Sequence, residues 1–126
     1  MKIIRSGQLK FIPASHEDPK LPGVLKKVLL RKDDLVDGKI RMINWALLPA
    51  GESFRAHYHE DMEEVFIILK GMAMIRIDKE EAVLEKEDVV VVPVGKIHEM
   101  KNIGEEDVEY IVVGVSQEKG GKTVVV

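Results

Sequence analysis

Short apolar runs separated by turn-forming residues recur along this chain. Proline and glycine interrupt the N-terminal third, and the Asp37-Gly38 pair predicts a hairpin turn between the apolar segments 28–30 and 40–48. A helix over 24–31 is a second reading of that region, although its β-branched neighbours favour it little. Strands are predicted at 28–30, 40–48, 54–59, 65–69, 73–78, 82–84, 89–92, 98–101, 108–115 and 123–126. Short strands at this regular spacing predict an all-β sandwich or barrel.

Two of the predicted strands carry large apolar residues on both faces. The segments 89–92 and 110–113 show no alternation, whereas a strand buried on one face alternates apolar and polar positions. A second copy of the chain over the outer face would bury these side chains, so the sequence predicts a homodimer. The alternative is that the N-terminal segment 1–30 folds back over the same face.

Composition narrows the class of protein. The 126 residues are 45% hydrophobic and 33% charged, as expected for one compact domain spanning 1–126. The net charge of −3 argues against nucleic acid as a partner, and the absence of cysteine excludes disulfides and thiolate metal sites. No apolar run reaches membrane-spanning length, so we expect a cytoplasmic protein without a membrane partner. Abundant Glu, Lys, Val and Ile with few Asn and Gln indicate a thermophilic source.

Three histidines and one glutamate have the spacing of a metal site. His57 and His59 are two residues apart, so on a strand they point to the same face. Glu64 follows five residues later, and His98 lies in a second Gly- and Pro-containing segment. Imidazole nitrogens with one carboxylate oxygen suit a divalent transition ion. In an octahedral site this set leaves two positions open for water or substrate.

The segments 51–71 and 87–102 resemble the first and second motifs of the cupin family. Besides the four residues above, the matching positions are Gly51, Gly71, Pro93, Gly95 and Asn102. The resemblance implies a double-stranded β-helix, or jelly-roll barrel. It also implies that His57, His59, Glu64 and His98 bind one metal ion per chain, with Mn, Fe, Zn and Ni as candidates. One position departs from the motif, because Glu87 occupies the place of a turn glycine.

Glu63 is an alternative to Glu64 as the carboxylate ligand, because the motif tolerates either spacing. The six residues between Glu64 and Gly71 favour Glu64. Strand parity places the two glutamates on opposite faces, but parity alone leaves open which face is the inner one.

Candidate substrate-binding residues follow from the same parity. An unbroken strand before His57 would bring Arg55 inward, where its guanidinium could bind a carboxylate or phosphate. The competing reading is a rim arginine paired with Glu52 or Glu60. The other candidates form an apolar wall: Trp45, Phe66, Met100 and Tyr110.

Two classes of function remain open. In the first, the protein is a metal-dependent enzyme acting on a small organic molecule, of the oxygenase, isomerase, decarboxylase or lyase kinds found in the family. In the second, it binds a small ligand without turnover and the metal serves as an anchor. The sequence identifies no catalytic acid or base beyond the two glutamates.

Overall fold

The protein is almost entirely β-structure. The computed structural model describes residues 1–126, and its only helical elements are two three-residue 3-10 turns, Ser6–Gln8 and Lys32–Asp34. Neither turn approaches the length that a membrane-spanning helix requires. The strands are β1 (Ile12–Pro13), β2 (Leu25–Arg31), β3 (Ile40–Leu48), β4 (His57–His59), β5 (Met62–Lys70), β6 (Ala73–Ile77), β7 (Glu80–Leu84), β8 (Val89–Val92), β9 (His98–Asn102), β10 (Val108–Ser116) and β11 (Thr123–Val125).

The strands form two antiparallel sheets. One sheet has six strands in the order β1-β2-β3-β10-β5-β8, and the other has five in the order β11-β4-β9-β6-β7. Apart from β1-β2-β3 and β6-β7, neighbours in each sheet are not consecutive in the chain, so the strands cross back and forth between the two layers. This arrangement confirms the predicted all-β jelly roll.

The core lies between the two sheets. Strand β10 alternates buried and half-buried positions along its whole length, with Val108, Tyr110 and Val112 pointing inward. These side chains belong to a cluster of 15 buried hydrophobic residues contributed by both sheets and by the N-terminal segment. Burying a residue such as Leu48 or Ile68 contributes roughly 1.5–3 kcal/mol, so the fold has a core that does not depend on the polar site.

The segment before β3 differs from one of the predictions. In the segment 24–31, for which a helix was the second reading, residues 25–31 form β2 instead, which pairs with β3 through partners such as Lys26 and Ala46. Pairing with β3 outweighs any local preference of this segment for helix. The predicted hairpin is present, but Asp37-Gly38 does not form a two-residue turn. Residues 32–39 make the connection, and the second 3-10 turn lies within it.

Glu87 has the backbone conformation of the glycine that it replaces. Its φ of 76° lies in the left-handed region, and its N–H donates to the Ile68 carbonyl. A non-glycine residue there costs roughly 1–2 kcal/mol. The turn before β8 therefore forms despite the departure from the motif, at a cost in stability.

Candidate metal centre

Four side chains of ligand type converge between the sheets. His57 and His59 lie on the inner face of β4, Glu64 comes from β5, and His98 comes from β9. His57 and His98 are direct partners in the β4–β9 pair. One ligand atom from each residue lies within 4.8 Å of those of the others, and all four residues are buried.

Backbone carbonyls orient two of the imidazole rings. His57 Nδ1 is 2.6 Å from the carbonyl oxygen of Arg55, and His98 Nδ1 is 3.0 Å from that of Lys96. Because a carbonyl oxygen only accepts, each Nδ1 carries the proton. In the neutral rings, both Nε2 atoms therefore direct a lone pair into the cluster, as metal-binding histidines do.

The C-terminal strand orients the third ring. Thr123 on β11 pairs with His59 on β4, and its Oγ1 lies 2.7 Å from His59 Nδ1. Asp61 holds the segment that leads to this strand in place through hydrogen bonds. Its carboxylate accepts hydrogen bonds from the Ser116 hydroxyl at 2.6 Å and the Lys119 N–H at 3.0 Å. The last residues of the chain thus contribute to the site.

The contacts of Glu64 show that the cluster fits a cation. Glu64 Oε1 lies 2.9 Å from His59 Nε2 and 3.1 Å from His98 Nε2. A neutral His98 with its proton on Nδ1 faces this carboxylate with a lone pair, so two acceptors oppose each other. A divalent ion bound to both atoms removes this repulsion. Three nitrogens and one oxygen are a donor set suited to zinc, iron, manganese or nickel.

The protonation states of the cluster also suit a metal. Burial raises the pKa of Glu64, but the adjacent His59 and His98 imidazoles more than offset this effect, and its pKa falls to about 2. Burial and then the neighbouring His98 lower the pKa of His57 from 6.5 to about 4. At neutral pH, Glu64 is ionised and His57 is neutral, which are the forms that bind metals.

Glu63 does not belong to the cluster. Its side chain is half-buried and lies on the opposite face of β5 from the buried Glu64. The inner face of β5 also carries Phe66 and Ile68, so the structure resolves the parity that the sequence left open.

A cavity of about 320 Å³ adjoins the four-residue cluster. His57, His59 and Glu64 form part of its wall. Much of the remaining wall is apolar and includes Val24, Ala46, Phe54, Met62, Phe66 and Val112. Because ligand pockets commonly range from about 300 to 1,000 Å³, this cavity suits a small organic molecule.

The candidate wall residues lie in different places. Phe66 and Tyr110 line the cavity, and burial raises the pKa of the Tyr110 hydroxyl well above its usual value. Met100 is fully buried in the core and is not part of the cavity wall. Trp45 is also outside the wall, because it occupies the outer face of β3 and its Nε1–H donates to Glu109 Oε1 at 3.1 Å.

Arg55 does not follow the parity expected for it. Arg55 is exposed and lies outside the cavity wall, whereas the preceding residue, Phe54, is only 2% exposed. The regular strand begins only at His57, so alternation does not extend back to residue 55. The Arg55 N–H donates to the carboxylate of Glu17 at 2.9 Å and not to a carbonyl of a neighbouring strand.

His16, which lies outside both motifs, packs against the cluster. Its ring stacks on His57 with a centroid separation of 4.0 Å and an interplanar angle of 22°. Glu17 holds it there, because its buried carboxylate accepts the N–H groups of Gly23 at 2.6 Å and Arg55 at 2.9 Å. Burial and then the nearby His57 lower the pKa of His16 to about 3. No spacing rule links His16 to the motifs, so the sequence did not indicate this contact.

The sequence matches one protein family and two individual proteins over most of its length. The family model described as the cupin domain matches residues 44–114. An uncharacterised protein of Methanocaldococcus jannaschii is 29% identical over 104 residues, which cover 82% of this chain and 79% of that protein. An oxalate-binding protein of Thermotoga maritima is 26% identical over 91 residues, which cover 72% of this chain and 75% of that protein.

The fold also resembles a solved structure. The crystal structure of a predicted oxalate decarboxylase from Thermotoga maritima superimposes with a TM-score of 0.81 at 26% identity. The match covers 91% of this chain and 99% of that one.

Proposed function

The chain belongs to the cupin family, and on that premise we propose that it is a metal-dependent enzyme acting on a small organic molecule. His57, His59, Glu64 and His98 would hold one divalent transition ion per chain. The reaction would be of the oxygenase, isomerase, decarboxylase or lyase kind. The observation that carries the proposal is the convergence of four buried ligand atoms within 4.8 Å beside a cavity of about 320 Å³.

The residues of the chain have distinct roles in this proposal. A bound divalent ion would supply Lewis acidity and positions for oxygen ligands. His57 and His98 offer Nε2 atoms fixed by their carbonyl partners, and Glu64 supplies a negative charge. The apolar wall around Phe54 and Phe66 excludes water, which strengthens electrostatic interactions with a ligand.

A second candidate is a protein that binds a small organic acid without turnover. The relative from Thermotoga maritima that is described as an oxalate-binding protein favours this reading. The surroundings of the cluster support this candidate too, because neither Glu63 nor Glu64 is available as a catalytic acid or base. Glu64 is committed to the cluster, and Glu63 lies on the opposite face.

Ligand access to the metal is the first test. We expect the visible absorption spectrum of the Co²⁺-loaded protein to change on addition of a small carboxylate such as oxalate, because open coordination positions accept oxygen ligands. An unchanged spectrum at saturating carboxylate would contradict both candidates. Loss of the added acid with appearance of a product would favour the enzyme, and a spectral change without product would favour the binding protein.

We also propose that the chain is a homodimer through the outer face of the six-stranded sheet. Ile111 pairs with Trp45 on one side and with Ile67 on the other, which places apolar side chains in a continuous row. On the edge strand β8, Val89 and Val91 are 57% and 50% exposed. Soluble monomers rarely leave an apolar patch of this kind uncovered.

Light scattering tests the dimer. We expect a mass near twice the 14.2 kDa of one chain. Val91→Lys should shift the protein toward the monomer, because an edge-strand lysine opposes apolar pairing. The matched control is Val83→Lys, at a valine that is 54% exposed on β7 of the other sheet, and it should remain dimeric. A wild-type mass near that of one chain would refute the dimer.

A further inference from the structure

Lys26 is a half-buried cation in the cavity wall without an anionic partner. It pairs with Ala46, whose side chain is in the core, so Lys26 points inward from β2. Its Nζ donates to Ser15 Oγ at 2.7 Å, and no carboxylate lies within 4.0 Å of it. Burial and then the charge of Arg31 lower its pKa. The other charged residue of the wall is Glu64, which belongs to the metal cluster.

Two buried polar atoms of the same wall have no hydrogen-bond partner. These are Asn44 Oδ1 and His16 Nε2. Asn44 is only 9% exposed, and its amide nitrogen has a single contact, with Met42 Sδ at 3.4 Å. The nearest carboxylate oxygen to His16 Nε2 belongs to Glu17 and is 3.6 Å away, too far for a hydrogen bond. Buried polar atoms are nearly always paired, so both atoms are free to accept or donate a hydrogen bond to a molecule bound in the cavity.

Lys26 and Asn44 can reach one bound group. Asn44 is opposite Val28, and Lys26 is opposite Ala46, so Lys26 and Asn44 are diagonal neighbours across β2 and β3. Diagonal neighbours are roughly 7–8 Å apart, a separation that a lysine and an asparagine side chain span together. Ser15 lies beside Lys26 through the 2.7 Å hydrogen bond.

Lys26 is remote from the carboxylate ligand of the metal cluster. Lys26, Ala46, Tyr110 and Ile68 form one cross-strand row, and Glu64 lies four residues along β5 from Ile68. Three strand spacings of about 4.8 Å separate β2 from β5. Even with the curvature of the sheet, a two-carbon acid bound at the cluster does not extend to Lys26, whereas a longer one does.

We propose that Lys26, Ser15 and Asn44 form a second polar subsite that binds the distal carboxylate of an extended dicarboxylic acid whose first carboxylate binds at the metal. This inference rests on the proposed function. Lys26 supplies the charge, the Ser15 hydroxyl and the Asn44 amide supply hydrogen bonds, and the apolar wall packs against the carbon chain. The Asn44 amide donates after a rotation that exchanges its oxygen and nitrogen. The subsite therefore selects acids longer than oxalate.

Calorimetric titration of the Mn²⁺-loaded protein with oxalate and with adipate tests the subsite. Lys26→Met should weaken adipate binding at least about tenfold, since it removes a charge-assisted hydrogen bond, and should change oxalate binding less than about twofold. Lys26→Arg keeps the charge and should retain most of the adipate affinity. The control is Lys101→Met, at an exposed lysine outside the cavity wall, and both affinities should be unchanged.

Asn44→Leu supplies a second measurement. It should weaken adipate binding and raise the melting temperature of the ligand-free protein, because it removes a buried unpaired amide atom. If Asn44 had a purely structural role, Asn44→Leu would lower the melting temperature instead.

The outcomes separate the two proposals. Equal loss of oxalate and adipate in Lys26→Met, no loss of either, or no adipate binding by the wild-type protein would overturn the subsite. Metal content, measured in every variant, should be unchanged by Lys26→Met. If the wild-type protein takes up neither metal nor oxalate, the proposed function fails as well.

Discussion

Replacing His57 or His98 with alanine is expected to abolish stoichiometric metal binding. Each change removes one of the four ligand atoms that converge in the buried cluster. Changes to residues that merely support a ligand already cost about 10–100-fold in metal affinity, so loss of a ligand should cost more. Elemental analysis of the dialysed protein should find about one metal ion per wild-type chain and almost none in either variant.

The two adjacent glutamates provide a matched control. Glu64→Gln removes the negative ligand and should greatly reduce metal content, whereas Glu63→Gln, on the outer face of β5, should leave it unchanged. Circular dichroism should show the same β-sheet content in all of these proteins. If the variants at His57 and His98 retain wild-type metal content, the ligand assignment is wrong.

Removing the metal is expected to lower the melting temperature by about 12–25 °C. A ligand that binds only the folded chain adds about 4.1 kcal/mol when its concentration is 1,000 times the dissociation constant. For a chain of this length, each kcal/mol shifts the melting temperature by roughly 3–6 °C. Differential scanning calorimetry before and after chelation, and again after metal is restored, measures the shift.

The protein without metal should nevertheless remain folded at room temperature. The 15-residue core is contributed by both sheets and includes none of the four ligands. His57 and His98 also keep their hydrogen bonds to backbone carbonyls. Complete unfolding on chelation would contradict this expectation and make the metal a structural requirement.

The metal cluster was predictable from sequence because its four residues occupy motif positions. His57 and His59 share a face of any strand, and the motif spacing carries His98 to the neighbouring strand β9 and Glu64 to β5 of the facing sheet. The jelly roll followed from the same motifs and from the regular spacing of the strands. The choice between Glu63 and Glu64 needed the structure, because only tertiary packing defines the inner face of β5.

The remainder of the cavity was not predictable because it depends on the N-terminal segment. His16 lies against His57 beside Glu17, whose carboxylate accepts the N–H of Arg55, 38 residues away in the chain. The helix weighed for residues 24–31 gave way to β2 because sheet pairing outweighs local propensity.

Strand parity predicted the wrong face for Arg55 for a related reason. A β-strand alternates its faces only while its ladder is regular, and the β4 ladder begins at His57. Phe54 takes the inward position instead and is 2% exposed. Trp45 shows the same limitation, since its position on β3 faces outward and parity from the motifs does not extend to another strand.

The most direct test of the metal centre is an anomalous-difference map from crystals of the metal-loaded protein, with diffraction data collected on either side of the absorption edge of the metal. One peak per chain is expected at about 2.0–2.2 Å from the Nε2 atoms of His57, His59 and His98 and from a carboxylate oxygen of Glu64. A map with no peak inside the cluster, or with its strongest peak bound by other residues, would contradict the account.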